Sequence, residues 1–198
     1  MYLDTSQESA NAWKYFLTKA GRAAIQDQDW NPDYTEAYVR RHQERVPDVD
    51  PLVIRYADEA LRSYINGCYL ASAIMLGGAA EAAFLDLGRS FAKWTGGTKG
   101  DAYRTFVDGP RQFGPKFEDF RKKIEGRRAE LPETFTDQMD IILWSILNLI
   151  RIHRNSAGHP RDVTIGRRDV FNHLLAFAYC LEKMYALRAF FDAHRSTS

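Results

Sequence analysis

Six consecutive residues, Arg154-Asn155-Ser156-Ala157-Gly158-His159, set an arginine and a histidine five positions apart, with a carboxamide directly after the arginine. Arginine stays protonated at physiological pH and offers a planar fork of donors that fits phosphate oxygens. Histidine, with an unperturbed pKa of about 6.5, takes or gives a proton near neutrality. Together they supply what metal-free phosphodiester chemistry needs: fixed positive charge where negative charge develops, and a proton carrier. The spacing alone carries little information, however. Basic residues at a helix C-terminus interact favourably with the helix dipole, and Gly158 followed by Pro160 is a common way for a helix to stop.

Either reading requires a helix that delivers these residues. Residues 141–150, IILWSILNLI, are almost wholly apolar, so the helix presents hydrophobic surface at every rotation, as an element surrounded by others would. Leu131-Pro132-Glu133 opens this central helix, and Gly158 and Pro160 end it after Ser156 or Ala157. Basic charge collects at its end, with five arginines against one acid over residues 151–168. Residues 28–50 carry three arginines against six acids.

The remaining elements follow in chain order. Trp13, Phe16, Leu17, Ala20 and Ala24 at helical spacing predict a short helix within residues 8–25, and Tyr34 to Arg45 predict a second before Val46-Pro47-Asp48 breaks it. Asp50-Pro51 is a helix start, Asn66-Gly67 a turn, and a longer helix carries Cys68, Ser72, Met75, Ala79, Ala83 and Leu87. Its Gly77-Gly78 pair and many alanines allow a neighbouring helix to approach closely. Residues 95–115, with five glycines and two prolines, read as a long irregular connection. The GGTKG within it lacks the GxxxxGK[ST] spacing of a phosphate loop. Residues 116–130 predict an amphipathic helix with Phe117, Phe120 and Ile124 inward and Lys116, Arg121, Lys122, Lys123, Arg127 and Arg128 on a solvated face. The last helix, from Arg167 to about His194, has a stripe wider than one core face needs, which predicts a second buried surface such as a dimer interface.

The chain is therefore expected to be all-α. An antiparallel bundle would occupy residues 50–198, and a helical extension over residues 1–49 would pack on the same domain. Its 198 residues, 45% hydrophobic, suffice for one core, and 27 basic against 26 acidic residues announce neither a nucleic acid nor a membrane globally. Cys68 and Cys180 lie in apolar helical stretches as buried free thiols do, which fits a reducing cytoplasm. No zinc spacing or GxSxG motif is present, and no metal or cofactor is expected. The first residues lack the pattern of a signal peptide, and the longest apolar run is too short to span a bilayer.

Residues 60–87, with the turn at Asn66-Gly67-Cys68 and Glu81 late in the second helix, resemble the first two helices of HEPN-superfamily domains, and residues 154–159 resemble that superfamily's R-x4-6-H motif, including its polar residue after the arginine. The resemblance covers residues 50–192 in helix order. It implies a metal-independent endoribonuclease of the toxin–antitoxin, antiviral-defence or RNA-processing kind, with motifs from two subunits of a homodimer meeting in one site. It further implies catalytic roles for Arg154 and His159 with Asn155 in support, and an antitoxin or nucleotidyltransferase as partner protein. Attack by a 2′-hydroxyl fits this chemistry, and DNA lacks that nucleophile. Arg151 shares a helical face with Arg154 and is, with Arg161, Arg167, Arg168 and Glu81, a candidate for contacting RNA, although solvated arginines and a polar interhelical glutamate are the plainer readings. His153 falls on another face and reads as a packed or capping histidine. The competing functional reading is a catalytically silent module that binds RNA, a nucleotide or a partner protein.

Overall fold

The computed structural model describes residues 3–9, 12–17, 32, 35–136, 139, 147, 150 and 165–195, with the backbone alone given for residues 3–17, 35 and 36. Among the described residues, a helical bundle is built from residues 35–136 and 165–195, preceded by a hairpin. Strands β1 (Leu3–Ser9) and β2 (Ala12–Leu17) pair antiparallel, Leu3 opposite Leu17, with a bulge between Gln7 and Ser9. This corrects the helix expected over residues 8–25. Trp13, Tyr15 and Leu17 also alternate with a period of two, and aromatic residues favour the strand when period 2 and period 3.6 compete over so short a stretch.

Helices α1 (Thr35–Arg45), α2 (Pro51–Ile65) and α3 (Tyr69–Thr95) follow, and α2 begins where capping chemistry places it. The Asp50 carboxylate accepts from the Leu52 N–H at 2.8 Å, Pro51 occupies the first turn, and Gly67 takes φ +74° in the turn that reverses the chain. Small residues set the α2–α3 spacing, as the sequence implies. A Cβ on Gly78 would lie 3.1 Å from the Tyr56 ring, and the Ser72 hydroxyl donates to the Ala60 carbonyl at 2.6 Å. Helix α3 is the one described helix long and apolar enough to cross a bilayer by length and composition. Here α2, α4, α5 and α7 pack around it.

Residues 95–115 are not irregular. Helices α4 (Gly97–Asp108) and α5 (Phe113–Glu125) take up most of them. The glycines serve packing instead: Gly96 and Gly97 adopt positive φ to turn the chain sharply, and a Cβ on Gly100 would come within 2.4 Å of the Ala92 carbonyl, because the first turn of α4 lies against the end of α3. Gly100, Tyr103 and Val107 are the buried stripe of α4. On α5, Phe113, Phe117 and Phe120 surround Phe84 of α3 at centroid distances of 5.1, 5.9 and 5.3 Å.

Three of the bases expected on a solvated face are structural. Lys116 is buried and donates to the Gly109 carbonyl at the end of α4, at 2.8 Å. Arg127 stacks over Trp94 at 3.5 Å and forks onto Glu130, and Arg128 donates to the Thr136 carbonyl. Beyond the 3-10 turn Arg128–Glu130 comes a single turn, α6 (Glu133–Thr136), whose Phe135 meets Phe190 at 5.7 Å. Met139, Leu147 and Ile150 are buried and helical.

Helix α7 (Arg167–Ala193) runs parallel to α3. Phe171, near its start, shares Tyr64 with Tyr69 at the start of α3; Arg188 pairs with Asp86; Ser90 donates to Asp192; Phe191 packs on Phe91 and Trp94. Its wide apolar stripe is consumed within the chain. One side meets α1, where Tyr38 donates to the Leu174 carbonyl at 2.7 Å and His42 lies between Tyr38 and Phe177, and the other meets α3.

Two measurements probe this packing. Replacing Gly100 with Ala forces a methyl against the Ala92 carbonyl and should cost about 1–3 kcal/mol in urea unfolding; a change within error would show that α4 shifts freely. Burial lowers the His42 pKa to about 4, so between pH 6.5 and 4 the unfolded chain takes up a proton that the folded chain refuses. This contribution is complete above pH 6.5, is lost as the pH falls through the folded value, and amounts to roughly 3 kcal/mol. A His42→Leu variant should show a correspondingly shallower loss of stability over that window.

Candidate nucleic-acid interface

Arg151, Arg154, Asn155, His159 and Arg161, together with His153, lie outside the described residues. What is described is the frame on either side. Leu147 and Ile150 are 1% and 3% exposed, and Ile165, where description resumes, is 9% exposed, so the described residues nearest the motif on either side belong to the core.

The return is fixed by local chemistry. The Asp169 side chain accepts from the Gly166 backbone N–H at 2.9 Å, satisfying a donor at the first turn of α7 and placing negative charge at the positive end of its dipole. This locks the direction in which Arg167 and Arg168 leave the helix. Both are exposed, and the Arg167 guanidinium lies 5.5 Å from the centroid of the Tyr64 ring. Tyr64, itself buried, stands 6.2 Å from Tyr69 and 6.4 Å from Phe171. The end of the bundle at the start of α7 thus has an aromatic floor made by α2, α3 and α7, with Arg167 at its edge.

Glu81 is not part of this group. It is half-buried in the middle of α3, twelve positions beyond Tyr69, which at the rise of an α-helix is roughly 18 Å further along the axis. It stands one turn past Gly78, at the level of Tyr56 rather than Tyr64. The structure therefore brings Arg167 to the candidate end and Glu81 to another level. Sequence reasoning missed Tyr64, Phe171 and Asp169. The acid at the third helical position after Gly166 was a readable signal for the last of these.

The path of the chain also bears on the motif. Phe135 contacts Phe190 near the C-terminal end of α7, whereas Ile165 precedes its N-terminus, so the residues between Thr136 and Ile165 connect opposite ends of α7. The 23 positions from Arg167 to Phe190 rise about 35 Å. A helix from residue 133 to residue 156, as expected from sequence, would cover nearly that length.

Among the described residues, no group of three or more His, Cys, Asp or Glu side chains is placed to hold a metal ion. His42 and His173 are buried, and the His194 ring lies 2.9 Å from the Phe190 carbonyl. Cys180 is buried, with its thiol pushed well above the usual range by burial; Cys68 is exposed, against expectation, because it caps the start of α3 instead of lying inside it. No family model matches the chain, and no curated protein or solved structure is significantly similar to it.

Asp169→Ala should lower stability by about 1 kcal/mol, because the Gly166 N–H loses its acceptor. Asn at the same position, which keeps an acceptor oxygen, should recover most of the loss in thermal denaturation. Equal effects from Ala and Asn would assign the contribution to charge alone.

Proposed function

We propose that the chain is a HEPN-type, metal-independent endoribonuclease that works as a homodimer with one site composed from both copies. The observation that carries this reading is the Arg154-Asn155-Ser156-Ala157-Gly158-His159 motif, which lies in sequence between buried Ile150 and buried Ile165. The path from Phe135 to Ile165 supports it, since a central helix along that path would end beside Tyr64, Phe171 and Arg167. The apolar width of α7 lends no support to a dimer, because α1 and α3 cover it. The two-copy site rests on the motif.

In this mechanism Arg154 holds the scissile phosphate and stabilises the charge that grows on its oxygens, with Asn155 assisting. A His159 takes the proton from the 2′-hydroxyl as the O2′–P bond forms, and the His159 of the other copy protonates the departing 5′-oxygen as the P–O5′ bond breaks. The products are a 2′,3′-cyclic phosphate and a 5′-hydroxyl end. Arg151, Arg161, Arg167 and Arg168 contact neighbouring phosphates. An antitoxin or nucleotidyltransferase partner would hold the activity in check in a toxin–antitoxin or defence setting.

The purified protein should cleave single-stranded RNA in EDTA and leave DNA of the same sequence intact. Arg154→Ala and His159→Ala should each lose at least about 100-fold in rate with unchanged helical circular dichroism. Undiminished activity in both variants, or a monomer by analytical ultracentrifugation at the assay concentration, would overturn the assignment. RNA binding with no cleavage of a broad substrate set would move it to the catalytically silent form.

A further inference from the structure

The other end of the bundle carries a cleft of about 560 Å³, walled by the last turn of α3, by α4, and by the end of α5 with Gly126 and Arg127. Its volume falls within the range of roughly 300–1,000 Å³ typical of small-molecule sites. Two rings of α4 line it: Tyr103 and half-buried Phe106, with centroids 6.2 Å apart and planes inclined by 33°. The Tyr103 hydroxyl is buried and has no hydrogen-bond partner among the described residues. The hydroxyl lies toward α3, 3.9 Å from where a Cβ on Gly88 would stand, so the side chain offers the cleft its ring rather than its hydroxyl. Burial, and then the neighbouring Asp119, raise its pKa well above the usual phenol range, so it stays a donor at any working pH.

The charges of the cleft do not cancel. Lys123 is paired with Asp119 at 3.7 Å, and Arg127 with Glu130 at 2.7 Å. Lys99, exposed on the first turn of α4 and one turn before Tyr103, has no ion-pair partner among the described residues. Lys99 therefore stands beside the two rings together with the Arg111 guanidinium, 5.0 Å over the Phe106 ring, so both rings have positive charge near them.

We propose that this cleft binds a small planar aromatic acid, its ring system lying against Phe106 and Tyr103 and its carboxylate facing Lys99. A planar ring covers the apolar wall without rotamer entropy of its own, and a carboxylate meets Lys99 on the cleft wall, with the Arg111 guanidinium over Phe106 adding to the attraction. The site is independent of the ribonuclease proposed above, and neither stands or falls with the other.

Indole-3-acetate is a suitable probe, titrated into the full-length ¹⁵N-labelled protein. Saturable shifts should concentrate on the amides of residues 95–106 and 123–127. The neutral indole-3-acetamide should bind about tenfold more weakly, and Lys99→Gln should weaken the acid alone by a similar factor. Acetate, which has the charge without the ring, should not saturate the site. Ala102→Trp, which places a large ring at an exposed position on the cleft wall, should abolish the shifts with little change in unfolding temperature. Equal affinity for acid and amide, or shifts scattered away from the cleft, or retained binding in a folded Ala102→Trp variant, would overturn the proposal.

Discussion

The parallel alignment of α3 and α7 constrains everything else in this molecule. Ser90 meets Asp192 across 102 positions of sequence, and Asp86 meets Arg188 at the same separation, so the two long helices stay in step along their length. Parallel neighbours cannot be joined by a short turn. The chain must travel away from the end of α3 and return to the start of α7, and α4, α5 and the residues from 133 to 165 occupy that circuit. The end of the bundle at Ile165, where α7 begins, is also where Tyr64, Phe171 and Arg167 gather. Where description resumes, at Ile165, the chain therefore stands beside a basic, aromatic surface.

Side-chain size maintains the alignment. Phe84 and Phe91, two turns apart on α3, are the ring centres around which Phe113, Phe117, Phe120, Tyr103 and Phe191 pack, mostly edge to face at 5–6 Å. Such pairs add about 0.5–1.5 kcal/mol each beyond the area they bury. On its other faces α3 does the opposite, offering Ser72, Gly78, Ala79 and Gly88 so that backbones come close. Large residues toward α5 and small ones toward α2 and α4 give one helix several distinct neighbours, which is why no single amphipathic stripe describes it.

Much of this was legible because it follows from local chemistry. The Asp50-Pro51 start, the Asn66-Gly67 turn and the inward face of α5 depend on residues a few positions apart, and all stand where those residues indicate. The departures come from long-range contacts. The glycines of residues 95–115 look like punctuation until Gly100 is seen against the Ala92 carbonyl, and the bases of residues 116–128 look solvated until Trp94, Gly109 and Thr136 are seen beside them. The breadth of α7 suggested a missing subunit because the contribution of α1, through Tyr38 and His42, could not be read from α7 itself. For the candidate site the legible part is the motif itself and the arginines that follow it; the supporting tyrosine and phenylalanine belong to helices distant in sequence, and Glu81 was grouped with them only by analogy.

The alignment of α3 with α7 also has a meaning during synthesis. Helix α3 leaves the ribosome long before α7 exists, and at about 5–20 residues per second the roughly 100 positions between them take on the order of 5–20 s to be made. Over that interval a helix apolar enough to resemble a membrane span is without one of its two most extensive partners. Helices α2, α4 and α5 can sheathe part of it, but the face reserved for Phe191 and Arg188 stays bare until the last helix arrives. The order of synthesis thus leaves that face of α3 exposed the longest, and the core closes only with the last helix.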